Sequence, residues 1–93
     1  MSRTLLRSAA FARDLRRWLK TRPGAVADVQ AALEQLSADA AHPSLRSHKL
    51  RGRLAGCWAC SAGYDLRIVY EFVPHHGAEG ILLLALGTHD EVY

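Results

Sequence analysis

Ninety-three residues make room for one modest hydrophobic core, and the chain reads as a single domain over residues 1–93. Half of the composition is apolar (49%), 23% is charged and no low-complexity tract intervenes, which excludes a disordered or fibrous chain. No apolar run approaches the roughly 18 residues of a membrane span, and the Arg-rich start has no apolar signal-peptide core, so a cytoplasmic location is expected.

The net charge is +3, unevenly placed. Seven of the twelve cations lie between Arg3 and Arg22, and Arg46, Lys49, Arg51 and Arg53 follow as a second cluster. Such clusters suit polyanions, RNA among them, or an acidic partner. For the first cluster a solvated helix face is an equal alternative.

Arg3 to Arg7 (RTLLR) reads as a short strand beside a sheet. Ser8 offers a helix N-cap, and Phe11, Leu15, Trp18 and Leu19 recur as one apolar stripe, with Arg13, Arg16, Arg17 and Lys20 on the other face. Arg22, Pro23 and Gly24 break this helix. A second, Ala-rich helix runs from Ala25 to Ala38 with Val26, Val29, Leu33 and Leu36 on one face, and His42-Pro43 ends it. The two helices form an antiparallel hairpin.

Ser44 to Arg53 is a basic surface segment feeding a β-hairpin. The first hairpin strand spans about Gly56 to Ser61. The second carries Tyr64, Leu66, Ile68, Tyr70 and Phe72 on an apolar side and Asp65, Arg67, Val69 and Glu71 on the other, a period of two. A three-residue turn, Ala62 to Tyr64, buries Trp58 beside Leu66 and Ile68; a two-residue turn sets it beside Arg67 instead. Burial of the tryptophan favours the first. Asp65 and Arg67 share a face, as a surface ion pair or as part of a site.

Cys57 and Cys60 form a C-x-x-C. On a strand a spacing of three sends the side chains to opposite faces, so both read as small hydrophobes rather than a redox pair or half a zinc site. Neither metal nor cofactor is called for. Pro74 to Gly80 reads as a loop, Ile81 to Leu86 as a central strand covered on both faces, and Gly87 as its end. The order is β-α-α-β-β-β, an α+β fold with a helical hairpin on one face of a small antiparallel sheet and the other face open for binding.

Three strings, HKLRG (His48 to Gly52), GYDLRIVYEF (Gly63 to Phe72) and GTHDEVY (Gly87 to Tyr93), resemble the RelE/YafQ family of toxins from bacterial type II toxin-antitoxin pairs, within the RelE/ParE superfamily. The likeness covers the C-terminal half, and the helices match in pattern alone. It implies a fold similar to small microbial ribonucleases and a ribosome-dependent mRNA endonuclease, held inactive in a hetero-oligomer by a cognate antitoxin.

By position, His48, Asp65 and His89 match residues that act in YafQ-like toxins, Arg67 matches a phosphate-stabilising arginine of RelE-like ones, and Tyr93 matches the aromatic near the family's C-terminus. Two positions depart from the pattern: Ser61 stands where YafQ-like chains have histidine, and Ala85 where they have arginine. A non-catalytic ParE-like gyrase inhibitor and a degenerate toxin that binds antitoxin without cutting are the alternatives.

The chemistry fits the resemblance. Attack on a phosphodiester by its own 2′-hydroxyl needs a base, an acid and a cation for the developing charge. Histidine serves both proton roles near neutral pH, so His48 and His89 are the candidates, with Asp65 to orient them. Arg67 is the phosphate clamp, and Arg46, Lys49, Arg51 and Arg53 are candidate contacts to flanking phosphates.

Overall fold

A computed structural model describes residues 2–93. Strand β1 (Leu5–Arg7) leads into helices α1 (Ala9–Thr21) and α2 (Ala25–Ala38); strands β2 (His48–Lys49), β3 (Trp58–Ala62), β4 (Leu66–His75) and β5 (Ala78–Thr88) follow, and a short helix α3 (His89–Val92) comes last. The sheet order is β1-β5-β4-β3-β2, antiparallel except that β1 runs parallel to β5. The expected architecture forms, with Ile81 to Leu86 interior between β1 and β4. The elements β2 and α3 are additions to it.

Ser8 caps α1, its hydroxyl accepting from the Phe11 amide at 3.0 Å. Phe11 is fully buried, and Leu15 and Trp18 pack against the core. From α2 come Val29, Ala32 and Leu36, which meet Leu66, Ile68, Tyr70, Ile81, Leu83 and Leu86 of the sheet. The apolar stripes read from the sequence fail at the helix–helix junction, where Leu19 and Val26 are exposed. There they border a small crevice between the helices, and Ala32 takes a core position instead.

Helix α1 also completes the sheet. Val69 pairs with Ala85 but Tyr70 with Leu83, so Leu84 is an extra residue that bulges β5. Strand β1 ends opposite Leu83, and beyond it α1 supplies the missing partners for the outer edge of β5. Ser8 Oγ donates to the Leu84 carbonyl at 3.3 Å, the Leu86 amide donates to Asp14 Oδ2 at 3.1 Å, and Trp18 Nε1 donates to the Leu86 carbonyl at 3.3 Å. Polar backbone groups in a covered edge need such partners, and the Ser8 cap and two α1 side chains stand in for a strand.

The β3–β4 turn has three residues but sits one position later than the sequence suggests, at Gly63 to Asp65, because Ala62 pairs with Leu66. Gly63 fixes this choice. Its φ is +76°, and a Cβ there would fall 2.6 Å from Asp28 Oδ2, so the turn closes against α2 only with glycine at that point. Ser61 therefore faces Arg67 rather than Asp65. Trp58 lies opposite Tyr70, half-buried, with its ring edge-on to Phe72 at 6.0 Å rather than beside Leu66 and Ile68. Tyr64 leaves the apolar face altogether and is 97% exposed.

Pro74 to Gly80 is not a loop. Strands β4 and β5 continue to His75 and Ala78 around a two-residue turn at His76 (φ 47°) and Gly77 (φ 77°), the positive pair that matches strand twist in tight hairpins. Pro74 fits because β3 pairs with β4 no further than Tyr70, so no ladder needs its amide.

Candidate functional site

The second face of the sheet is not left open as the sequence suggests, because α3 folds back across β4 and β5. Thr88 and Glu91 make this possible. They form a capping box, in which the Thr88 side chain takes the Glu91 amide and Glu91 Oε1 accepts from the Thr88 amide at 2.9 Å. The same carboxylate reaches α1, its Oε2 accepting from Arg17 Nη1 at 3.1 Å. These contacts, the Thr88 amide foremost, hold Glu91 below the usual carboxylate range. Gly87 permits the close approach: a Cβ there would lie 3.1 Å from Glu91 Cβ and 3.2 Å from Val92 Cγ1.

Between α3 and the β3–β4 turn lies a cleft of about 650 Å³, lined by Arg46, Ser61, Tyr64, Asp65, Arg67, His89 and Asp90 among others. Three expected site residues, Asp65, Arg67 and His89, thus share one cavity. Arg67 Nη1 donates to the Leu66 carbonyl at 2.9 Å and the Tyr64 carbonyl at 3.4 Å, which fixes the guanidinium under the turn. His89 is exposed at the rim, with Nδ1 3.5 Å from Asp90 Oδ1.

Asp65 is oriented by a residue that sequence reasoning overlooks. Arg22 Nη1, at the end of α1, donates to Asp65 Oδ1 at 2.7 Å and to Oδ2 at 3.0 Å. The Arg22 bond pulls the Asp65 carboxyl below its usual range, so Asp65 is an ionised carboxylate facing a guanidinium. Its side-chain partner is neither of the candidate histidines, so it does not orient them directly.

The other two expected residues meet beside the cleft. His48 pairs with Ala59 at the edge of the sheet, on the face that α3 covers, and its Nε2 is 3.2 Å from Tyr93 Oη. The Tyr93 ring stands edge-on to both His48 and His89, with centroid separations of 5.9 and 4.5 Å, and so connects the two histidines. Partial burial pushes the Tyr93 phenol up, against the Arg67 charge, which keeps it a hydroxyl donor.

Of the four basic residues expected to track phosphates, Arg46 lines the cleft. Lys49 points to the opposite face, its Nζ 5.5 Å from the Trp58 ring centroid, because His48 and Lys49 alternate across the short β2. Arg51 and Arg53 are exposed in and beside a 3₁₀ turn (Gly52–Leu54), outside the cleft lining. In the N-terminal cluster three arginines carry ion pairs, Arg3 with Glu79, Arg17 with Glu91 and Arg22 with Asp65, so that part of the cluster is a set of tethers.

Cys60 is buried in the core, which pushes its thiol up to about 12 and leaves it a small apolar side chain. Among the described residues no group of three or more His, Cys, Asp or Glu is arranged to hold a metal ion, and no helix is long and apolar enough to cross a membrane.

A family model described as the bacterial toxin of a type II toxin-antitoxin system, YafQ, matches residues 3–93. The chain belongs to the YafQ toxin family. Solved structures agree in fold. YafQ of Escherichia coli superposes with a TM-score of 0.80 at 15% identity over 98% of both chains. A YoeB/ParE toxin from Agrobacterium tumefaciens gives 0.77 at 16% identity, covering 92% of this chain and 98% of that one. The toxin in the E. coli DinJ-YafQ toxin-antitoxin complex gives 0.78 at 16% identity, covering 100% and 99%. No individual curated protein matches the sequence significantly.

Within the YafQ frame the two departures fall at different places. Ser61 lies in the cleft wall opposite Arg67, where a hydroxyl replaces the imidazole expected of the family. Ala85 pairs with Val69 in the row that begins at His48 and Ala59, on the α3 side. Three further residues escape the sequence reading. The capping box of α3 is visible as Thr88-x-x-Glu91, whereas Arg22 has no local signal because its partner is 43 residues away.

Proposed function

We propose that this YafQ-family toxin is an endoribonuclease that cuts mRNA on the ribosome and so arrests translation. What carries the reading is the convergence of Asp65, Arg67 and His89 on one cleft from a turn, a strand and a strand–helix junction, with the His48–Tyr93 pair against its α3 wall. In the proposed reaction a histidine takes the proton of the 2′-hydroxyl and the 2′-oxygen attacks phosphorus. The bond to the 5′-oxygen then breaks, and that oxygen receives a proton from the second carrier, leaving a 2′,3′-cyclic phosphate. His89 and the His48–Tyr93 pair are the two proton carriers. Arg67, tethered through one nitrogen, presents its fork to the phosphate, and Arg46 adds charge at the rim.

The partner in the resting state is a cognate antitoxin, a reading supported by the family's description and by the complex that E. coli YafQ forms with DinJ. The toxin acts in the cytoplasm, where ribosomes are, and needs neither metal nor cofactor. The test is cleavage of mRNA on purified ribosomes by the wild type and by His89→Ala. Wild-type cleavage that vanishes in the variant supports the reading. A wild type that arrests growth without cutting mRNA moves the protein to the binding-only class, and a folded His89→Ala variant that cuts normally removes His89 from the catalytic set.

A further inference from the structure

Helix α1 touches both walls of the cleft through one cluster. Two guanidinium groups lie over the Trp18 ring, Arg17 with its carbon 5.1 Å from the ring centroid and Arg22 at 4.9 Å. The indole is itself fixed, Nε1 donating to the Leu86 carbonyl at 3.3 Å, two residues before Thr88. From this fixed point the two arginines diverge. Arg17 grips Glu91 at 3.1 Å in α3, the wall that carries His89 and Tyr93. Arg22 grips Asp65 at 2.7 Å in the β3–β4 turn, the wall whose carbonyls hold Arg67.

We propose that Arg17, Trp18 and Arg22 form a staple that sets the separation of the two cleft walls, making the two arginines positioning residues for RNA cleavage. Both ion pairs are solvent-exposed, and exposed pairs add little to global stability. Their effect falls on geometry, because α3 is a single helical turn and the β3–β4 turn has three residues, each mobile without a tether. Displacing a reacting group by about 1 Å costs up to about a hundredfold in rate. A cation–π contact with the indole restrains each guanidinium while its donors reach the carboxylates.

The inference rests on the cleavage reading, and the experiment separates the two. Arg17→Ala, Arg22→Ala and Arg22→Lys are assayed for mRNA cleavage on ribosomes, alone and combined with Glu91→Ala or Asp65→Ala. Each single alanine variant is expected to lower kcat by about tenfold or more with the half-saturating ribosome concentration unchanged. Arg22→Lys recovers part of the loss. Arg22→Ala adds nothing to Asp65→Ala, and Arg17→Ala adds nothing to Glu91→Ala.

Losses that multiply in the double variants mean that the arginines contact RNA on their own account, and they overturn the staple, as do alanine variants that cut at the wild-type rate. A wild type that does not cut mRNA sinks the cleavage reading, and amide hydrogen exchange then judges the staple. Faster exchange in α3 for Arg17→Ala and in the β3–β4 turn for Arg22→Ala sustains it as a structural device. Unchanged exchange overturns it.

Discussion

Tyr93 Oη lies 3.2 Å from His48 Nε2, across 45 residues of sequence. The other His48 nitrogen, Nδ1, is 3.2 Å from the Arg46 carbonyl, which can only accept, so in the neutral imidazole Nδ1 carries the proton and Nε2 accepts from the tyrosine hydroxyl. The pair is thus a donor facing a base, ready to pass a proton. Tyr93→Phe removes the hydroxyl and keeps the ring. It should slow cleavage about fivefold, the worth of one hydrogen bond of about 1 kcal/mol. His48→Ala should cost about 10² to 10⁴ in rate if the imidazole moves the proton. Cleavage rates on ribosome-bound mRNA check both, and a wild-type rate for Tyr93→Phe assigns Tyr93 to packing alone.

The cleft residues and their strand neighbours should separate cleanly. His89→Ala is expected to lower cleavage by about 10² to 10⁴, and Arg67→Ala by about 3 kcal/mol of transition-state stabilisation, about 150-fold. Glu71 lies on β4 opposite Leu82, away from the cleft lining, so Glu71→Ala should cut at nearly the wild-type rate. Equal damage from all three would point to misfolding rather than to lost chemistry, and circular dichroism tells these apart.

Gly87→Ala tests how closely α3 must sit. The added methyl would lie 2.9 Å from Glu91 Oε1, 3.1 Å from Glu91 Cβ and 3.2 Å from Val92 Cγ1, so α3 has to give by a few tenths of an ångström. Overpacking of this kind costs about 1–3 kcal/mol, which thermal unfolding reads. The loss in cleavage should exceed what that destabilisation explains, because His89 and Tyr93 move with the helix.

Asp65 and Glu91 make stability depend on pH with a defined sign. Both carboxyls titrate lower in the folded protein than in the unfolded chain, Asp65 through Arg22 and Glu91 through the Thr88 amide first. Their contribution is therefore complete above the ordinary carboxylate range and is lost as the pH falls through and below it. Urea unfolding from pH 7 to pH 3 should show a falling midpoint, and the fall should be shallower in Asp65→Asn and Glu91→Gln. Identical slopes in the variants would mean that other groups drive the acid loss.

Burial separates the two cysteines. Cys60, fully buried with its thiol pushed up to about 12, should resist alkylation at pH 8 in the folded protein, while half-buried Cys57 is labelled first. Peptide mass mapping after brief iodoacetamide treatment distinguishes them, and rapid labelling of Cys60 would place it outside the core.

The sequence by itself determined the elements and the family. Ser8 before a 3.6-residue apolar period, the Arg22-Pro23-Gly24 break, the alternation from Leu66 to Phe72 and the apolar run Ile81 to Leu86 are local signals, and each specifies local backbone geometry. Local rules also contained what was overlooked at His76-Gly77 and at Thr88-x-x-Glu91. Tertiary structure alone decided the rest. The turn moved to Gly63–Asp65 because of where α2 places Asp28, and α1 rather than a strand completed the edge of β5. The site came together through pairs far apart in the chain, Arg22 with Asp65, Arg17 with Glu91 and Tyr93 with His48. No periodicity encodes such pairs, because side chains 43 to 74 residues apart become neighbours only after the helical hairpin has docked on the sheet.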